Sequence, residues 1–173
     1  MEDIKLRSDI EKSLDALSIP IRIAPDSSTI IEHIESRFGC TNLRAWWEGF
    51  SSKAKQSISC SDGNGFLLLH EIIQENVSNY FDENEPLFFI AESNTPVFLL
   101  SLKEIVALIG EMYCFEYYII PPSLDWIVCE NDHNEIIFFD NHLKINDSNL
   151  KLGITFPKLA VLDSIGRCNI LKE

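Results

Sequence analysis

Positive charge is the scarce quantity in this chain. Of 173 residues, 14 are lysine or arginine against 27 aspartate and glutamate, for a formal net charge of −13. The shortage is local. Residues 62–140 hold fifteen acids and one base, Lys103, a net of −14, whereas residues 1–61 carry −1 and residues 141–173 carry +2. A field of this sign repels nucleic-acid phosphates and anionic membrane surfaces, so the chain is expected to bind neither. Long apolar runs are missing too. Stretches such as Phe66–Leu69, Leu87–Ala91 and Val97–Leu100 are only a few residues long, where a membrane-spanning helix needs about 20. Met1-Glu2-Asp3-Ile4-Lys5 has neither the basic nor the apolar region of a secretory signal, and the expected location is the cytoplasm. Cys40, Cys60, Cys114, Cys129 and Cys168 are odd in number and never spaced C-x-x-C, which points to reduced thiols rather than a disulfide framework. The catalytic strings G-x-S-x-G, G-x-G-x-x-G, the P-loop and H-E-x-x-H do not occur.

What is present is an ordinary apolar fraction, 46%, enough in a chain of this length for one domain with a real core. The whole of residues 1–173 reads as that single domain: a helical part to about residue 80, a sheet-forming part over about 86–140, and a C-terminal segment, 141–173. Ile4, Ile10, Leu14 and Leu17 recur at helical spacing over residues 3–17, ended by Pro20, with the start at Asp3 or after Ser8. Ile21-Arg22-Ile23 is a short extended piece. A second helix carries Ile30, Ile31, Ile34 and Phe38, with Thr29 as its cap and Gly39 as its stop. Residues 42–50 fit helix or strand equally. Ser51–Gly65 reads as polar loop, and Phe66–Tyr80 as helix.

Leu87–Ala91 and Pro96–Leu100 form a hairpin pattern about Glu92-Ser93-Asn94-Thr95. Ser101 and Glu104 stand at capping-box spacing before a helix to about Tyr113. Phe115–Ile120, Leu124–Asn131 and Glu135–Asp140 are three further strands with short connections, which favour antiparallel neighbours. The tail reads as a helix near Asn146–Leu152 and a final apolar segment, Leu159–Ile165. The expected fold is α+β: an antiparallel sheet of about five strands with helices packed mainly on one face.

The block of net −14 is rich in apolar and aromatic residues, so it folds, and its carboxylates project from a folded surface. Self-repulsion makes this unfavourable, and a basic partner relieves it. Candidate contacts are Asp82, Glu83, Glu85 and Glu92 about the first hairpin, Asp125, Glu130, Asp132 and His133 about the second, and Trp47 of the Trp46-Trp47 pair as an aromatic anchor. Adjacent tryptophans point to different faces, so one is expected in the core. An alternative is a small metal-dependent hydrolase built on Glu130, Asp132 and His133 with Asp140 or His142, although H-x₈-H is not a recognised ligand spacing. Another is a generic regulatory binding domain. Gly63-Asn64-Gly65 is a weak phosphate-loop signal.

Glu116-Tyr117-Tyr118-Ile119 followed by Trp126-Ile127-Val128-Cys129-Glu130-Asn131-Asp132-His133-Asn134 resembles the signature of an uncharacterised bacterial domain family, E-Y-Y-I/L and then W-L-L-C-E-N-H-H-D. Trp46-Trp47 and Ile109-Gly110-Glu111 also fit, and the resemblance covers about residues 40–140. The chain departs from the pattern at Asp132, where the family has a histidine, and at Asn134, where it has aspartate. That family resembles the small acidic immunity proteins of polymorphic or contact-dependent toxin systems. The resemblance therefore implies a non-catalytic cytoplasmic protein, with no cofactor, that neutralises a basic toxin domain such as a nuclease.

Overall fold

Strands whose apolar residues run without alternation need cover on both faces, and that requirement organises this molecule. The computed structural model describes residues 2–40, 45–50, 54–60, 64–77, 82–91, 96–112 and 115–140, all within one compact unit, Met1–Leu143. The elements in chain order are α1 (Glu2–Ala16), α2 (Ser27–Phe38), α3 (Trp46–Phe50), β1 (Gln56–Ser59), a 3-10 turn (Gly65–Leu68), α4 (Leu69–Asn76), β2 (Leu87–Ala91), β3 (Phe98–Leu100), α5 (Leu102–Glu111), β4 (Tyr117–Ile120), β5 (Trp126–Glu130) and β6 (Glu135–Asp140). The fold is α+β. Six strands pair antiparallel in the order β1-β6-β5-β4-β2-β3.

The sixth strand is β1, in the stretch read as polar loop. Gln-Ser-Ile-Ser carries one apolar residue because β1 is an edge: Gln56 and Ile58 are half-buried while Ser57 and Ser59 are exposed. Partnership with β6, Gln56 opposite Phe138 and Ser59 opposite Glu135, makes it a strand, and no local propensity announces that.

The larger helical layer is on one face, as expected. Ile10 and Leu14 of α1, Leu69, Ile72 and Ile73 of α4, and Ile105 and Leu108 of α5 meet Phe89, Phe98, Ile119, Val128 and Phe138 there. A second layer covers the opposite face. Ile34 and Phe38 of α2 and Trp46 of α3 pack on Ile90, Tyr118, Ile127 and Phe139. Residues 46–50 are thus helix, and Trp46 is the core member of its pair.

Local signals hold at most termini. Ser101 and Glu104 form both bonds of the capping box of α5. Glu104 also pairs with Arg22, whose Nε donates to the Leu99 carbonyl at 3.0 Å. Burial works to raise the Glu104 pKa, but the Arg22 hydrogen bond, the Ser101 N–H and the Arg22 charge outweigh it and hold the carboxyl below its ordinary range. Gly39 closes α2 in the left-handed region at φ 68. The cap of α2 is Asp26, not Thr29: its carboxylate accepts from the Thr29 N–H at 3.2 Å. Ile21-Arg22-Ile23 is extended and lies along β3, with Leu99 N–H donating to the Arg22 carbonyl and Ala24 N–H to the Val97 carbonyl, both at 2.8 Å. This covers an edge that would otherwise present unpaired backbone. The tail elements expected at Asn146–Leu152 and Leu159–Ile165, His142 and the 92–95 turn lie outside the described residues.

Candidate functional site

Antiparallel register decides which of the candidate residues share an end of the sheet. Leu87 at the start of β2 neighbours the end of β4, and Ile120 lies beside the start of β5. Asp82, Glu83 and Glu85, just before β2, and Asp125, just before β5, therefore lie at one end. Glu130, Asp132 and His133 lie at the other, with Trp47, whose ring meets His133 edge-on at 5.5 Å. Glu92 follows β2 and lies outside the described residues. Among the described residues, the candidate acids divide between two ends of the sheet.

The first end is partly neutralised. Lys55 Nζ sits 3.6 Å from Asp140, Arg37 Nε donates to the Leu124 carbonyl at 3.4 Å, and His70 Nε2 lies 3.4 Å from Glu83. Asp82 is engaged within its own turn: Oδ1 accepts from the Asn84 backbone and side chain, each at 2.9 Å, which holds its carboxyl below the ordinary range. Leu124 stands outside the strand expected for it. Its φ is 55, its N–H bonds the Pro121 carbonyl, and it packs with Ile127 on the face opposite Trp126 and Val128.

The second end is more elaborate. Asn131, 1% exposed, builds the β5–β6 turn: its Oδ1 accepts from the N–H groups of His133 and Glu135, both at 3.0 Å. This leaves the Asp132 and His133 side chains in solvent, 70% and 65% exposed. Beneath the α3 side lies Glu116, 7% exposed, which accepts from Trp47 Nε1 at 3.0 Å and from the Tyr118 hydroxyl. Burial, then this carboxylate, pushes the Tyr118 phenol far up. On the opposite face lies Glu130, 3% exposed. The Tyr117 hydroxyl, directly across the strand pair, donates to its Oε2 at 2.6 Å. The Gly65 backbone N–H lies beside the carboxyl, but Oε1 has no hydrogen-bond partner among the described residues. Desolvation raises the Glu130 pKa, opposed in part by the Tyr117 bond and the Gly65 N–H.

The pattern of a family of unknown function, DUF6756, matches residues 2–151. The chain belongs to that family. No curated protein and no solved structure matches it.

Three readings of the sequence are changed by the structure. Glu130 is not a surface contact: it continues the inward parity of Trp126 and Val128 and is buried under the 3-10 turn. An acid at an inward position of an apolar strand was the sequence signal for this. In the metal-site grouping Asp140 separates from Glu130, while His142 lies outside the described residues. Asp140 pairs opposite Trp126 and Glu130 opposite Ile136, four residues and about 13 Å apart along the strands. Among the described residues, no group of three histidine, cysteine or acidic side chains is placed to hold a metal ion. The Gly63-Asn64-Gly65 string does not present a phosphate cradle at Gly65, because the Glu130 carboxylate occupies that side. Tyr117 and Glu116 were legible only as signature residues; strand parity and pairing assign them to opposite faces.

Proposed function

We propose that this chain is a bacterial immunity protein, a non-catalytic binder that neutralises a basic toxin domain, and that it does so with the end of the sheet bearing the β5–β6 turn. The observation that carries the choice of end is the Trp47–His133 edge contact beside exposed Asp132. It places a half-buried tryptophan next to a projecting carboxylate and a titratable imidazole on a turn held by Asn131. Aromatic anchors with charged neighbours are the usual high-energy elements of protein interfaces.

No lysine or arginine occurs among the described residues of the segments that build this end, 45–50, 59–60, 64–66, 111–112, 115–117 and 130–135. The opposite end, with Asp82, Glu83, Glu85 and Asp125, adds to the long-range field that steers a cationic partner but carries its own counter-charges. Carboxylates at such a surface substitute for the phosphates a nuclease would bind.

The test is co-expression with the protein encoded immediately upstream. Growth arrest by that neighbour alone and rescue by this chain support the reading. Loss of rescue in folded Asp132→Lys and Trp47→Ala variants places the surface. A neighbour that is not toxic, or one whose toxicity this chain leaves unchanged, ends it.

A further inference from the structure

Glu130 is a buried acid that the surface reading does not use. It lines a cavity of about 210 Å³ between the 3-10 turn, the end of α5 and the start of β4. Phe66, Ile109, Met112 and Phe115 form the apolar walls, and Tyr117 joins Glu130 at the polar side. The residue is 3% exposed, and its Oε1 has no donor in hydrogen-bond geometry among the described residues, although the Gly65 backbone N–H lies beside the carboxyl. Leaving such an acceptor unpaired away from water is unfavourable, and native proteins rarely do so without a functional reason. The approach of the turn is specific to this arrangement: a Cβ on Gly65 would lie 2.8 Å from Glu130 Oε1. Only glycine lets the backbone sit against the carboxyl while the cavity stays open beside it.

We propose that this cavity binds a small organic molecule carrying a primary ammonium group, with the ammonium at Glu130 and an apolar body against Phe66, Ile109, Met112 and Phe115. Two features select that chemistry. Oε2 is already taken up by the Tyr117 hydroxyl, so the vacancy is for one N–H donor rather than for the two-pronged fork of a guanidinium. The aromatic walls tolerate a cation better than an anion. The volume is below the range typical of drug-sized ligand sites, roughly 300–1,000 Å³, which restricts the body to a short alkyl or single-ring group. The cavity lies at the same end of the sheet as the proposed toxin-binding surface, but amine binding is read on the chain alone, without a toxin, so the two proposals fail separately.

The experiment is amide NMR titration of the full chain with hexylamine and phenethylamine, and with hexanol and phenethyl alcohol as shape-matched neutral controls. Saturable shifts centred on the Gly65 and Gly110 amides are expected for the amines, with affinity at least about tenfold above the alcohols and about tenfold lost in Glu130→Gln, as a charge-assisted hydrogen bond implies. Gly110 lines the cavity, and a Cβ there would meet only the Phe66 ring, at 3.5 Å. Gly110→Leu therefore fills the cavity from the helix side and abolishes the shifts without touching Glu130, which decides the matter if Glu130→Gln does not fold. Equal binding of amines and alcohols, unchanged amine affinity in folded Glu130→Gln, or no saturable shift at Gly65 with either amine overturns the proposal.

Discussion

Replacing Tyr117 by phenylalanine removes the hydroxyl that donates to Glu130 Oε2 at 2.6 Å and leaves the ring packing against Phe89 and Phe115 intact. A hydrogen bond to a charged group contributes about 1.5–3 kcal/mol and a neutral one about 0.5–1.5 kcal/mol. Tyr117→Phe should therefore cost about 2 kcal/mol in the native background where Glu130 is ionised, and about 1 kcal/mol in a Glu130→Gln background, for a coupling of about 1 kcal/mol in the double-mutant cycle. The sign of the pH dependence follows from burial. The folded pKa of Glu130 lies above its ordinary 4.5, so between the unfolded and folded values the native state binds more protons than the unfolded state. Stability from this group is present below the ordinary value and is lost as pH rises through the folded pKa. Glu130→Gln should gain on the native protein as pH rises through that window, and the Tyr117→Phe penalty should grow over the same range. Urea unfolding of the four proteins at a series of pH values measures all three quantities, and a 2 kcal/mol loss corresponds to roughly 4–8 °C in Tm for a domain near this size. A Tyr117→Phe penalty that is equal in both backgrounds and flat with pH would refute the claim that the hydroxyl stabilises a buried carboxylate.

Gly65→Ala should destabilise by about 1–3 kcal/mol, because the new Cβ would fall 2.8 Å from both Glu130 Oε1 and Ile136 Cδ1; thermal unfolding reads this, and a shift indistinguishable from zero would show that the turn does not sit as described. Ser101→Ala should lose about 1 kcal/mol by breaking the capping box of α5, measurable as a lower urea midpoint at unchanged slope. Burial, then the nearby Glu35 charge, pushes the Cys40 thiol from 9.0 up to about 12, and burial with Glu116 raises Cys129 as well. Thiolate at Cys40 is thereby suppressed about a thousandfold at pH 8, and site-resolved mass spectrometry should find both thiols unmodified by iodoacetamide in the native protein and modified in urea. Rapid native labelling of Cys40 would contradict its burial.

Local chemistry in the chain determined much of this molecule. Uninterrupted runs such as Leu87–Ala91 and Glu135–Asp140 are strands with the same bounds that the sequence predicts, because residues of this kind are stable only when covered on both sides. Ser101/Glu104 and Gly39 act through bonds within four residues of themselves, so their caps read directly from spacing. Excess negative charge is likewise a property of composition. Tertiary structure decided the rest. Gln56–Ser59 is a strand through its pairing with β6, whereas the Asp26 cap of α2 is local, a bond to the N–H three residues on, and was open to a reading from spacing. The division of Asp82, Glu83, Glu85 and Asp125 from Glu130, Asp132 and His133 follows from antiparallel register, which sends successive loops to alternate ends of the sheet. Burial of Glu130 against Gly65 joins residues 65 positions apart. Sequence spacing carries no information about such a pair, and only the packing of the 3-10 turn onto β5 and β6 brings it together.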